Sequence, residues 1–101
     1  MDRFAPIIST LDDPALRPAV ARFAAGLPAR LEAVAQSLST GDDGHAVELV
    51  HKLAGAAGMH GFLPVAEAAR RVEHALRQRD TAALAETLAA LRAVGARVRA
   101  A

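Results

Sequence analysis

Apolar residues recur at spacings of three and four along almost the whole chain, and this pattern constrains the fold more than any other feature. One face stays apolar over residues 16–38, for example. No segment alternates apolar and polar residues as a half-buried strand does. Hydrophobic residues make up 52% of the chain but aromatic residues only 3%, with alanine in excess, and alanine is the strongest helix former. The sequence predicts an all-α protein.

Capping and proline residues locate the first helix. Asp13 followed by Pro14 is typical of an N-cap and the first helical position. Pro18 and Pro28 each remove a backbone donor without interrupting the apolar face. We therefore expect either one long kinked helix or two nearly collinear helices, ending before the turn formers of residues 40–44.

Three further helices follow from the same signals. Asp42 or Asp43 can cap a second helix that extends to about Met59, and Gly61 separates it from a third. The third helix directs an apolar stripe from Phe62 to Leu76 inward and ends at residues 78–80. A fourth, capped by Asp80, carries an apolar stripe from Leu84 to Val98. Because the loops are short, we expect residues 1–101 to form a single domain, an antiparallel up-and-down four-helix bundle with a short N-terminal helical piece around Pro6 to Ser9.

Composition excludes several classes of function. The net charge of +1 and the scarcity of aromatic residues argue against a nucleic-acid partner. No segment stays apolar long enough to span a bilayer, and the first residues do not resemble a secretory signal. The chain has no cysteine, which fits a reducing compartment. We expect a cytoplasmic protein, without a membrane partner, that is monomeric.

The second helix contains the most informative residue, His51. At about 100° per residue its apolar residues gather into one inward arc, and His51 lies just outside that arc. Gly44, Gly55 and Gly58 lie on the same flank, so no bulky side chain of this helix covers the imidazole. Glycine within a helix costs roughly 0.5–1 kcal/mol relative to alanine. These glycines therefore indicate that access to His51 matters more than helix stability.

An exposed imidazole on a rigid helix is suited to carrying a phosphoryl group. Its neutral form is a good nucleophile near neutral pH, and a second protein can approach it. The residues from His51 to Ala57, His-Lys-Leu-Ala-Gly-Ala-Ala, followed by Gly61 and then by Val72-Glu73, resemble the histidine phosphotransfer domain family. The resemblance covers almost the whole chain.

This resemblance implies that His51 is the phosphoacceptor of a two-component phosphorelay. The expected partners are receiver domains of a hybrid sensor kinase, a response regulator or both. The chain would need no cofactor or metal of its own, because Mg²⁺ is expected on the partner receiver domain. The sequence contains no nucleotide-binding loop, so we expect a phosphoryl carrier without kinase activity rather than an enzyme.

One position departs from the family pattern. The family usually has lysine immediately before the glycine, whereas this chain has Ala54. Lys52 points roughly 160° away from that position on the helix. Arg70 and Arg77 on the third helix are therefore candidates, with Lys52, to contact the phosphoryl group or the partner.

Three other interpretations each fit part of the sequence. The chain can be a bundle that docks a signalling partner without phosphoryl chemistry, and the departure at Ala54 favours this alternative. Glu48 and His51 have the Glu-x-x-His spacing of di-metal bundles, but no second copy exists, so we predict no metal site. Arg70, Glu73 and Arg77 also fit ordinary surface charge pairs. The other histidines, His45, His60 and His74, are expected to have no special role.

Overall fold

Helices form most of the molecule. In the computed structural model, which describes residues 5–100, four α-helices pack against one another. They are α1 (Arg17–Ser39), α2 (Asp43–Met59), α3 (Leu63–Arg77) and α4 (Thr81–Ala96). Helix α3 lies between α2 and α4 and packs extensively against both, while α1 packs mainly on α2. The predicted all-α class and four-helix bundle are confirmed.

The three turns between helices share one capping pattern. The second residue after each helix has a left-handed backbone, and these residues are Gly41 (φ 79°), Gly61 (φ 80°) and Arg79 (φ 55°). The following N–H bonds back into the last turn of the helix, as in the bond from Asp80 N to Ala75 O of 3.1 Å, which is a Schellman motif. The side chains of Asp42 and Asp80 then cap the next helix by accepting a hydrogen bond from a backbone N–H of its first turn. The predicted caps are thereby confirmed, and each turn is short.

Helix α1 is one continuous helix despite its two prolines. Asp13 caps a short 3₁₀ turn, Pro14–Leu16, which leads directly into α1. Pro18 lies in the first turn of α1, where its missing N–H costs the helix no hydrogen bond, and Pro28 lies inside the helix. The alternative of two separate helices is therefore excluded. The short helical piece expected around residues 6–9 was wrong, because Ile7 and Ile8 form a short strand there.

The two ends of the described chain meet in a short parallel pairing that the apolar pattern did not predict. Strand β1 (Ile7–Ile8) pairs with β2 (Val98–Arg99), with Ile7 opposite Val98. Arg97 Nε also donates to the carbonyl of Ala5 at 2.8 Å. The placement of Val98 on the fourth helix was wrong, because α4 ends at Ala96 and Val98 is buried against Ile7.

Small side chains let the helices approach closely. The interior faces of α2 and α3 are formed largely by alanine and valine, with Leu53 and Phe62 filling the larger spaces. Phe62 precedes α3 instead of lying within it, yet its side chain is fully buried. Gly95 of α4 contacts α1 so closely that a Cβ there would lie 2.7 Å from Leu31 Cδ1. None of the helices within residues 5–100 is long and apolar enough to cross a bilayer.

Candidate functional site

His51 stands on the outer surface of α2, beside α3. Its side chain is 71% exposed, as expected for a residue just outside the buried arc of α2. Its Nδ1 atom lies 3.2 Å and 3.1 Å from the two carboxylate oxygens of Glu73 on α3. The imidazole is therefore accessible but tied at one nitrogen to a neighbouring helix.

Glu73 is held in turn by Arg77, one turn further along α3. Arg77 donates from Nε (3.0 Å) and from Nη2 (2.8 Å) to Oε2 of Glu73. Burial by itself would raise the pKa of Glu73, but the hydrogen bonds from Arg77 and His51 outweigh burial and the pKa lies below its ordinary value. Glu73 is consequently ionised at neutral pH.

An ionised carboxylate only accepts hydrogen bonds, and this determines the tautomer of His51. Since Nδ1 faces Glu73, Nδ1 carries the proton and its N–H donates a hydrogen bond to the carboxylate. The other nitrogen of a neutral imidazole, Nε2, then has a free lone pair. The arrangement thus presents an oriented nitrogen nucleophile on an exposed side chain.

The three predicted glycines of α2 differ in their environment. A Cβ added at Gly55 would meet no atom within 4 Å, so packing within the bundle does not require glycine there. At Gly58 a Cβ would lie 3.9 Å from both Ala66 Cβ and Arg70 Nη2, and at Gly44 it would lie 3.9 Å from Asp42 Oδ1. These are ordinary contacts. The absence of a side chain at Gly55 leaves open space beside His51.

The basic candidates occupy different places around the site. Arg77 binds Glu73 and through it reaches His51. Arg70 lies next to Gly58 across the junction of α2 and α3. Lys52 is exposed on α2, while Ala54, which replaces the family lysine, is only 3% exposed. Within the described part of the chain, neither Lys52 nor Arg70 forms an ion pair.

Comparison with known families agrees with this geometry. The sequence model of the Hpt domain matches residues 19–101, which is more than half of the chain. The chain belongs to the Hpt domain family. Hpt domains are phosphocarriers that act with receiver domains of two-component systems, so membership implies a role in histidine phosphotransfer within a phosphorelay. No curated protein and no solved structure matches the chain.

Two other histidines of this Hpt domain, His45 and His60, contact residues outside the site. Nδ1 of His45 lies 3.9 Å from Oε2 of Glu48, three residues further along α2. His60 stacks on Phe23 with ring centroids 4.9 Å apart, and its Nδ1 lies 2.7 Å from the carbonyl of Ala56. The short distance between Glu48 and His45 shows that Glu48 faces His45 rather than His51. Residues 5–100 contain no group of three potential metal ligands.

The sequence did not single out Glu73 as a partner of His51. Its spacing with Arg70 and Arg77 suggested surface charge pairs, and only the Arg77 pair is present. The side chain of Glu73 is only 15% exposed, so this is not an ordinary surface pair. The signal that could have identified it is the antiparallel packing of α2 and α3, which brings residues 22 positions apart to the same level.

Proposed function

We propose that His51 accepts a phosphoryl group from the phosphorylated aspartate of a receiver domain and passes it to another receiver domain. The donor and acceptor are receiver domains of a hybrid sensor kinase or of a response regulator. The main support is the hydrogen bond from Nδ1 to Glu73, which leaves Nε2 as the nucleophile of a side chain that is 71% exposed. Membership in the Hpt domain family supports the same role.

The proposed transfer needs no proton movement at His51. The lone pair of Nε2 attacks phosphorus in line, the N–P bond forms, and the P–O bond to the aspartate breaks, so that the aspartate leaves as a carboxylate. The imidazole then carries a positive charge, with its Nδ1 proton still directed at Glu73. The negative charge of Glu73 stabilises the positive charge that develops on the ring. The reverse sequence delivers the group to the next aspartate.

We propose that this chain contributes only the nucleophile and its orientation. The Mg²⁺ that assists transfer would be held by the carboxylates of the receiver domain. The exchange would take place in the cytoplasm with the Hpt domain as a monomer, and without a cofactor of its own. Gly55 leaves space for the receiver to bring its aspartate against Nε2.

The test is phosphoryl transfer from a panel of phosphorylated, labelled receiver domains of the host. The wild-type protein is compared with His51→Gln and with His45→Gln, a control that removes another exposed histidine of α2. We expect acid-labile, alkali-stable label on the wild type and on His45→Gln, and none on His51→Gln. If every receiver fails to label the wild type, the proposal is wrong. Receiver binding without any transfer would instead support a docking module.

A further inference from the structure

A surface groove lies along the junction of α3 and α4. Its volume is about 360 Å³, within the range of roughly 300–1,000 Å³ in which proteins hold small molecules. Every residue that lines it belongs to α3, to α4 or to the turn between them. Because α2 contributes no side chain, this α3–α4 groove is separate from the site at His51.

The two walls of the α3–α4 groove differ in chemistry. The wall from α3 consists of basic and polar side chains, which are Arg70, Arg71, His74 and Gln78. The wall from α4 is uncharged and consists of Ala83 and Thr87, and the small side chain of Ala75 lies between the walls. The hydroxyl of Thr87 donates to the carbonyl of Ala83 at 2.7 Å. The side-chain donors that are free to bind a ligand are therefore on the α3 side.

The arginines of the α3 wall have no carboxylate partner. Glu67 precedes Arg70 by three residues and Arg71 by four, spacings at which ion pairs form on a helix. Within the described residues, neither arginine forms an ion pair. The guanidinium of Arg70 reaches toward α2, where its Nη2 would lie 3.9 Å from a Cβ at Gly58. Arg71 therefore supplies the positive charge that the groove does not share with the junction of α2 and α3.

Asp80 is the acidic member of the lining, and it lies at the far end of the groove from Arg71. Gln78 and Asp80 follow Arg71 by seven and nine residues, which places that end about 10 Å away along α3. Oδ1 of Asp80 accepts the backbone N–H of Ala83 at 3.0 Å. The carboxylate is thus bound to the first turn of α4, whose partial positive charge it offsets.

The other acidic residues of α3 and α4 do not line the groove. Glu73 faces α2, where it binds His51 and Arg77. Glu67 and Glu86 are exposed to solvent, so their fields are screened by water and salt. An anionic group is consequently favoured at the end of the groove where Arg71 lies.

We propose that the α3–α4 groove binds a small molecule with an apolar body and one carboxylate or phosphate group. The anionic group lies against the guanidinium of Arg71, which can bind either oxyanion through two parallel N–H donors. The apolar body covers Ala75 and Ala83, whose small side chains leave the space. This site is independent of the proposed phosphoryl transfer, because the ligand does not cover His51.

The experiment is a titration of the ¹⁵N-labelled full chain, followed by NMR, with three probes. Phenyl phosphate carries both an apolar ring and an anionic group, inorganic phosphate only the anionic group, and phenol only the ring. We expect phenyl phosphate to shift the amide signals of Arg71, His74, Ala83 and Thr87 in a saturable way, with a dissociation constant of about 1 mM or below. The other two probes should bind at least about tenfold more weakly, because each satisfies one wall only.

Three variants locate the binding. Arg71→Ala should weaken the binding of phenyl phosphate at least about tenfold, because it removes the charge-assisted hydrogen bonds. Ala83→Leu should also weaken it, by filling the apolar wall while every charge stays in place. Arg22→Ala, which removes an exposed arginine of α1, should bind phenyl phosphate like the wild type. Phosphoryl acceptance at His51 should be unchanged in all three.

Several results would overturn the proposal. Equal affinities for phenyl phosphate and inorganic phosphate would mean that exposed arginines alone account for the binding. Shifts outside α3 and α4, an affinity that Arg71→Ala leaves intact, or the absence of saturable shifts would each exclude the groove as the site. Tighter binding of a hexaglutamate peptide than of phenyl phosphate would assign the groove to a protein partner instead.

Discussion

Oε2 of Glu73 lies 3.1 Å from Nδ1 of His51, so the group that orients the histidine comes from α3 and not from its own helix. The same oxygen accepts two hydrogen bonds from Arg77. The geometry of the site therefore depends on the packing of α2 against α3. A change at this junction can alter the reactivity of His51 without touching α2.

Glu73→Ala should slow phosphoryl transfer by at least about tenfold, or about 1.4 kcal/mol of activation free energy. Without the carboxylate, nothing selects the tautomer that has its proton on Nδ1. The ¹⁵N NMR spectrum of the imidazole should show a single tautomer in the wild type and a mixture in the variant. A role in folding alone would change the melting temperature without changing this ratio. A wild-type tautomer ratio in Glu73→Ala would contradict the positioning role.

Arg77→Ala should raise the pKa of Glu73, because burial is then opposed only by His51. A lowered pKa in the folded state stabilises the fold above the unfolded pKa, and this stabilisation is lost as pH falls through the folded pKa. The difference in unfolding free energy between wild type and Arg77→Ala should therefore shrink on acidification. Urea denaturation at several pH values measures it. Arg71→Ala, at an exposed arginine without an ion pair among the described residues, should show no such dependence.

Gly55→Gln should stabilise α2 while impeding transfer from a receiver. Glutamine is a better helix former than glycine by roughly 0.5 kcal/mol, and nothing within 4 Å opposes a Cβ at this position. Gly26→Gln is the matched control, since Gly26 lies inside α1 and is equally free of close atoms. Thermal denaturation should show a gain for both variants, whereas the transfer rate should fall only for Gly55→Gln. Equal transfer rates would show that the space beside His51 is not needed.

Arg79→Gly should stabilise the protein by about 0.5–1 kcal/mol. Arg79 adopts φ 55° just after α3. This left-handed conformation is strained for any residue with a Cβ, whereas glycine adopts it freely. Gly41 holds the equivalent position after α1, so Gly41→Ala should destabilise by a similar amount. Chemical denaturation of both variants checks the pair. A loss of stability in Arg79→Gly would mean that the arginine side chain makes a compensating contact.

Gly61→Ala should be more damaging than Gly41→Ala. Both glycines have a positive φ, but a Cβ at Gly61 would lie 2.5 Å from Ser9 Oγ and 2.9 Å from Thr10 N, whereas Gly41 has no atom within 4 Å. The N-terminal segment must move away, at a cost on the order of 1–3 kcal/mol beyond the strain. Comparison of the two unfolding free energies isolates this contact. Equal losses would show that the segment moves without cost.

The elements predicted correctly from the sequence are those determined by nearby residues. Asp13, Asp42 and Asp80 each bond to a backbone N–H two or three positions along the chain, so their capping role is visible locally. The end of α4 was missed because Val98 pairs with Ile7, at the far end of the chain. Helical periodicity has no means of reporting such a contact.

The candidate site divides in the same way. The exposure of His51 and the open space at Gly55 follow from the position of each residue on one helix, and both were predictable. The bond between His51 and Glu73 depends on the relative register of α2 and α3. Periodicity identifies which faces of two helices are apolar but not how far one helix slides along the other. The antiparallel packing of α2 and α3 narrows the candidates to residues at the level of His51, and the structure identifies Glu73 among them.

The pairing of Ile7 with Val98 makes the bundle close to circular in its connectivity. With Ala5 bound to Arg97 across the same junction, a short linker is sufficient to join the two ends, and the chain can be reopened at the exposed turn of residues 40–42. The same pairing suits the domain to insertion in a loop of another protein, because the two segments that lead to its points of attachment, residues 7–8 and 98–99, lie side by side.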